Sequence, residues 1–99
     1  MAVMVEIHFP VTADDEWIDD VGDFMIDLEN EFRIEEYEDG EEVGDEFVFF
    51  IAGANERTLL RAASRVATRQ GVPSGAYAMV TATDAAKVGL GRRVSLPVR

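Results

Sequence analysis

Residues Phe47 to Ala52 read Phe-Val-Phe-Phe-Ile-Ala, six successive positions without a polar side chain. A strand sends alternate side chains to opposite faces, so this run needs cover on both faces, or cover on one and a contact surface on the other. The chain has 99 residues to build that cover. Such a length supports one core, burying roughly 65% of the surface the unfolded chain exposes, and 1–99 is read as one domain around a central strand.

The flanking sequence supplies the other elements. From Val3 to Phe9 the residues alternate, with Val3, Val5, Ile7 and Phe9 on one face and Met4, Glu6 and His8 on the other, which predicts a strand closed by Pro10. Thr12, with Asp15 three residues on, is expected to cap a first helix whose opening turn holds Asp14, Asp15 and Glu16. Trp17, Ile18, Val21, Phe24, Met25 and Leu28 form its apolar stripe, and Glu16, Asp19, Asp20, Asp23 and Asp27 its acidic back. Asn30 is placed as a left-handed C-cap, followed by a short strand from Phe32 to Tyr37. Glu38 to Glu46, EDGEEVGDE, sets acids around Asp39-Gly40 and Gly44-Asp45 and reads as a solvated hairpin loop.

Beyond the central strand, Asn55 is the expected cap of a second helix running to about Gln70. Its inner face carries Leu59, Leu60, Ala63, Val66 and Ala67, its outer face Arg57, Arg61, Arg65 and Arg69, and Gly71 and Pro73 stop it. Residues 76–83 make a fourth strand, and Val94, Leu96 and Val98 a short fifth that Pro97 keeps at an edge. The order strand, helix, strand, strand, helix, strand resembles the ferredoxin-like split βαβ pattern. It implies an α+β, βαββαβ sandwich with an antiparallel sheet, both helices on one face, and an extra C-terminal edge strand. The resemblance is one of topology, and that topology hosts too many functions to select one.

Charge divides the chain sharply. Residues 1–50 hold 18 of the 20 acids and one base, Arg33, whereas residues 51–99 hold Glu56, Asp84 and eight bases, giving −17 against +6 and a net charge of −11. Such a division either laces the two helices together or gives the surface patches for a partner. A polyanion is a poor partner for a chain of this charge, so nucleic acid is not expected. No apolar run approaches the roughly 18 residues of a membrane span. The first ten residues lack the basic start of a signal peptide, and with no cysteine there is no disulfide or thiolate site, which fits a cytoplasmic address.

Chemistry-bearing motifs are sparse. The single histidine, His8, shares a strand face with Glu6, a pair that could work as an acid/base couple but lacks further ligands at metal spacing. Phe47 to Phe50 invites comparison with the RNA-stacking strand of RNA-recognition motifs, but Val43, Asp45 and Glu46 occupy the positions where that motif wants a base, an aromatic and a small residue. Gly89 to Arg93 could cradle an anion, with Arg92 and Arg93 as its contacts, although it lacks the strand-to-helix setting of a phosphate loop. No nucleophile stands beside a base and no cofactor fingerprint is present, so the expectation is a protein that is not an enzyme and binds no cofactor or metal.

The leading expectation is a non-catalytic acidic module, of inhibitor or immunity type, that meets a basic protein partner through Asp19, Asp20, Asp23, Asp27, Glu38, Asp39, Glu41 and Glu42. The alternative is a dimeric regulatory or small-ligand-sensing domain. It would associate through a sheet face bearing Val48, Phe50 and His8, with ligand near His8 and Arg92 or Arg93.

Overall fold

A computed structural model describes residues 2–12, 14–84 and 91–98, with the side chains of Glu38 and Asp39 outside that description. In chain order the elements are β1 (Val3–Pro10), α1 (Glu16–Phe32), β2 (Glu35–Val43), β3 (Glu46–Ala52), α2 (Glu56–Ala67), β4 (Tyr77–Ala82) and β5 (Arg92–Ser95). The strands form one antiparallel sheet in the order β2-β3-β1-β4-β5. This is the ferredoxin-like α+β sandwich, extended by β5 at one edge. Among the described residues no helix is long and apolar enough to cross a membrane.

Register fixes which side chains meet. Val5 stands opposite Ile51 and Val80, and Ile7 opposite Phe49 and Ala78, so these residues share the face covered by the helices. There they pack with Trp17, Val21, Met25 and Leu28 of α1 and with Leu59, Ala62, Ala63 and Val66 of α2. Phe9, Trp17, Phe47 and Phe49 meet ring to ring, at centroid separations of 5.0 to 6.3 Å. Edge-on and tilted packing of this kind adds about 0.5–1.5 kcal/mol per pair beyond the burial itself.

Several boundaries differ from the sequence expectation, each for a local reason. Thr12 does not cap α1: its hydroxyl donates to the Asp14 carbonyl and accepts from the Trp17 indole, while the Asp14 carboxylate takes the Glu16 amide and the helix begins at Glu16. At the other end Asn30 stays helical, its amide donating to the Ile26 carbonyl, and Arg33 takes the left-handed position at φ 56°. The Asn55 cap forms as expected, its carboxamide oxygen accepting from the Thr58 amide. α2 stops at Ala67, short of Gln70, because Thr68 turns its hydroxyl back to the Ser64 carbonyl and the Arg69 amide shortens its reach to Val66. β5 spans only Arg92–Ser95, and Leu96 and Val98 lie beyond it.

The acidic segment from Glu38 is a strand over most of its length. β2 continues to Val43, with Glu41 opposite Val48 and Glu42 opposite Phe47, and the turn is confined to Gly44 and Asp45. Gly40 makes this pairing fit. A Cβ there would stand 2.7 Å from the Phe47 ring, closer than two carbon atoms can approach. Register shifts on either side of Glu38 mark β2 as bulged, which bends an edge strand and increases its twist.

The face away from the helices is not an open apolar surface. Met4, Val48 and Phe50 form a second buried cluster, and His8 and Glu6 beside them are 3% and 0% exposed. The expected contact face of Val48, Phe50 and His8 is therefore corrected: these side chains are enclosed within the chain. Sheet curvature accounts for part of this. Tyr37 of β2 donates its hydroxyl to the carbonyl of Thr83, beyond β4. In a flat sheet β2 and β4 lie about 14 Å apart, three strand spacings, which is longer than a tyrosine side chain. The two must bend toward each other over the buried cluster.

Candidate functional site

α1 and α2 lie together, and the arginine row of α2 is largely spent on α1. Arg69 donates to Asp20 through Nε at 2.6 Å and through Nη2 at 3.2 Å, and Arg65 pairs with Glu31. The hydrogen bond from Arg69 holds the Asp20 carboxyl below its ordinary range, against a smaller opposing effect of burial, and raises the guanidinium in return. The same cations sit on two aromatic rings of α1: Phe24, expected in the core stripe, and Phe32, expected to open a strand but found at the helix end. Arg69 lies 4.2 Å from the Phe24 centroid, Arg65 at 5.9 Å from both Phe24 and Phe32, and Arg61 at 5.8 Å from Phe32.

This pairing consumes few of the acids. Asp19, Asp23 and Asp27, spaced by four along α1, all face solvent. Among the described residues none of the three makes an ion pair within 4.0 Å. Asp20 is thus the one member of the predicted α1 set that is already engaged. On β2, Glu41 and Glu42 are exposed, together with Glu35 and with Asp45 of the following turn, while the side chains of Glu38 and Asp39 lie outside the described residues. The acidic surface comprises the back of α1 and the edge strand β2, elements on the same flank of the sandwich.

A second constellation lies on the opposite sheet face, where the sequence had only the pair His8 and Glu6. His8 Nε2 is 2.9 Å from Glu6 Oε1, and Nδ1 is 3.0 Å from Glu46 Oε1. Tyr77 donates its hydroxyl to that same Glu46 oxygen at 2.7 Å and stacks on the imidazole at 4.7 Å and 15°. Arg93 lies 3.9 Å from the Tyr77 centroid. Strand order puts β1 and β5 on opposite sides of β4, so the tyrosine ring is held between His8 and Arg93. Burial pushes the Tyr77 hydroxyl up to about 12, with the Glu46 hydrogen bond acting in the same direction. At Glu46 burial acts upward, but the hydrogen bonds from Tyr77 and His8 outweigh it and hold the carboxyl below its ordinary range. Glu46 and Tyr77 are the members that sequence reasoning missed. Only the register, His8 opposite Tyr77 and Pro10 opposite Glu46, brings them to His8.

Arg92 and Arg93, expected as a joint anion contact, are separated by the strand pleat. Arg92 turns to the helix side and pairs with Glu56 at 2.6 Å, and Arg93 turns to Tyr77. Gly89 and Leu90 of the same motif lie outside the described residues. Gly91 holds φ 147°, and a Cβ there would stand 2.3 Å from the Val80 carbonyl oxygen, so its glycine serves the close approach of β5 to β4. A surface cleft of about 590 Å³ lies at the start of α1 beside the Asp20–Arg69 pair and is lined by Asp14, Glu16 and Gln70. Among the described residues no group of three or more His, Cys, Asp or Glu side chains is placed to hold a metal ion. In comparisons with known proteins the chain matches no family model, no curated protein and no solved structure.

Proposed function

We propose that this protein is a non-catalytic binding module that docks a basic protein through the acidic flank formed by the back of α1 and by β2. One observation carries the reading: with Arg65 and Arg69 already engaged by Glu31, Asp20 and the Phe24 and Phe32 rings, the row Asp19, Asp23 and Asp27 still faces solvent. Carboxylates left in this arrangement set up a one-sided negative field, which steers a basic partner and raises its association rate. The alternative of dimerisation through the sheet face lost its motivating surface when Val48, Phe50 and His8 proved buried.

The test is affinity capture from the native cell extract at low and then high salt, with the wild type beside Asp19→Asn/Asp23→Asn/Asp27→Asn. The wild type should retain a basic protein that salt releases and that the variant fails to retain. With that protein purified, the variant should associate several-fold more slowly and with a flatter salt dependence. Identical captured proteins and identical kinetics for the two chains refute the proposal.

A further inference from the structure

The constellation around His8 has the geometry of a protonation-dependent clasp. A neutral imidazole offers one N–H and one lone pair, whereas ionised carboxylates only accept. Both ring nitrogens lie within 3.0 Å of a glutamate oxygen, so with Glu6 and Glu46 ionised both contacts hold only while the ring carries two protons. Loss of one proton sets a nitrogen lone pair against a carboxylate oxygen, and that contact must open. The geometry says which. Glu6 is fully enclosed and cannot turn to water without moving β1, whereas the Glu46 side chain is 33% exposed and can rotate outward.

We propose that doubly protonated His8 fastens the turn end of the β2–β3 hairpin to β1 and β4, and that loss of one imidazole proton releases Glu46 and loosens that end. The released group sits beside the hairpin turn: Glu46 opposes Val43 of β2 and Pro10 of β1, and the adjacent Asp45 carbonyl accepts from the Val11 amide at 2.9 Å. Among the described residues every strand around the imidazole contributes to its field. β1 presents Glu6, β3 presents Glu46, β4 presents Tyr77 and β5 presents Arg93. From β2, Glu41 opposes Val48, which itself opposes His8, so this solvent-exposed carboxylate stands two strands away in the same row. The clasp is a property of the free protein and holds whether or not the acidic flank binds a partner.

Nitrogen-15 resonances of the His8 ring report its protonation, and amide exchange reports the turn end of the hairpin. Below the imidazole titration both ring nitrogens should carry protons. As the pH rises through that titration, the protection factor of the Val11 amide should fall by up to about ten-fold per pH unit, the limit for release of one proton. The amides of Ala63 and Val66 within α2 should keep theirs. Glu46→Ala, which leaves His8 in contact with Glu6 and gives Nδ1 no partner on β3, should show the loosened Val11 exchange on both sides of the titration. His8→Gln should remove the pH dependence. The clasp is refuted if Val11 protection ignores the titration in the wild type, if Glu46→Ala retains the wild-type profile, or if the ring holds one proton while both carboxylate contacts persist.

Discussion

Phe50 decides whether the face away from the helices is a core or a surface. Its side chain is fully buried with Met4 and Val48 in the second cluster. Truncation in Phe50→Ala removes a ring whose burial withdraws roughly 120–150 Å² of apolar area from water, about 3–4 kcal/mol at about 25 cal/mol per Å². The cavity left behind adds to that, within a range of about 3–5 kcal/mol for phenylalanine truncations in a core. For a domain of this size each kcal/mol moves the midpoint of thermal unfolding by about 4–8 °C, so a drop of roughly 12–40 °C is expected. Ile26→Ala on α1, where the side chain is 58% exposed, is the control and should change stability by less than about 0.5 kcal/mol. Urea unfolding of the three proteins followed by Trp17 fluorescence measures both differences. The wild-type midpoint should not depend on protein concentration, since the cover is intramolecular. A Phe50→Ala cost as small as that of Ile26→Ala would refute the burial argument, and a concentration-dependent midpoint would return the sheet face to a contact between copies.

Two further outcomes follow from single contacts. The Tyr77 hydroxyl is raised from 10.0 to about 12 in the folded state, so its contribution to stability is complete below pH 10 and is lost as the pH climbs toward 12. The wild type should therefore lose stability relative to Tyr77→Phe across that interval, and tyrosinate absorbance should show one hydroxyl titrating near its upper end. Asn55→Ala removes the side-chain acceptor of the Thr58 amide at the start of α2. It should cost about 1 kcal/mol, read as a lower denaturant midpoint at unchanged slope.

The parts of the fold legible in the sequence are those whose signal is local. Alternation in Val3 to Phe9 gave both the strand and its two faces, and Asn55 ahead of an amphipathic stretch gave the helix start, because each depends on residues within a few positions. β2 lacks such a signal. Its acids and its Gly40 disfavour a strand in isolation, and what holds them extended is pairing with β3 and the close seat of Gly40 against Phe47, both tertiary. The clasp was hidden for a related reason. His8 and Glu46 are 38 residues apart, and Glu46 and Tyr77 are 31 apart. Their meeting depends on the register of two strand pairs, which a one-residue slip would abolish.

Topology turns a division along the chain into a division across the molecule. The sheet order places β2 at one edge and β5 at the other, with α1 contacting β2 and α2 contacting β1 and β4. Among the described residues the acids of α1 and β2 thus lie mainly on one flank, which the bases of the second half meet only through α2. If this arrangement, and not the net charge, governs encounter with a basic partner, charge can be moved without being changed. Combining Asp19→Asn, Asp23→Asn and Asp27→Asn with Arg57→Glu and Arg61→Gln removes three negative charges from the back of α1 and makes α2 three units more negative, two arginines lost and one glutamate gained, leaving −11. All five side chains are exposed, so the fold should tolerate the set. Steering acts through the local potential within about 10 Å at 0.1 M salt, so this chain should associate with the captured partner as slowly as the triple asparagine variant. Recovery of the wild-type rate would mean that total charge alone attracts the partner, and the acidic flank would then be no binding site.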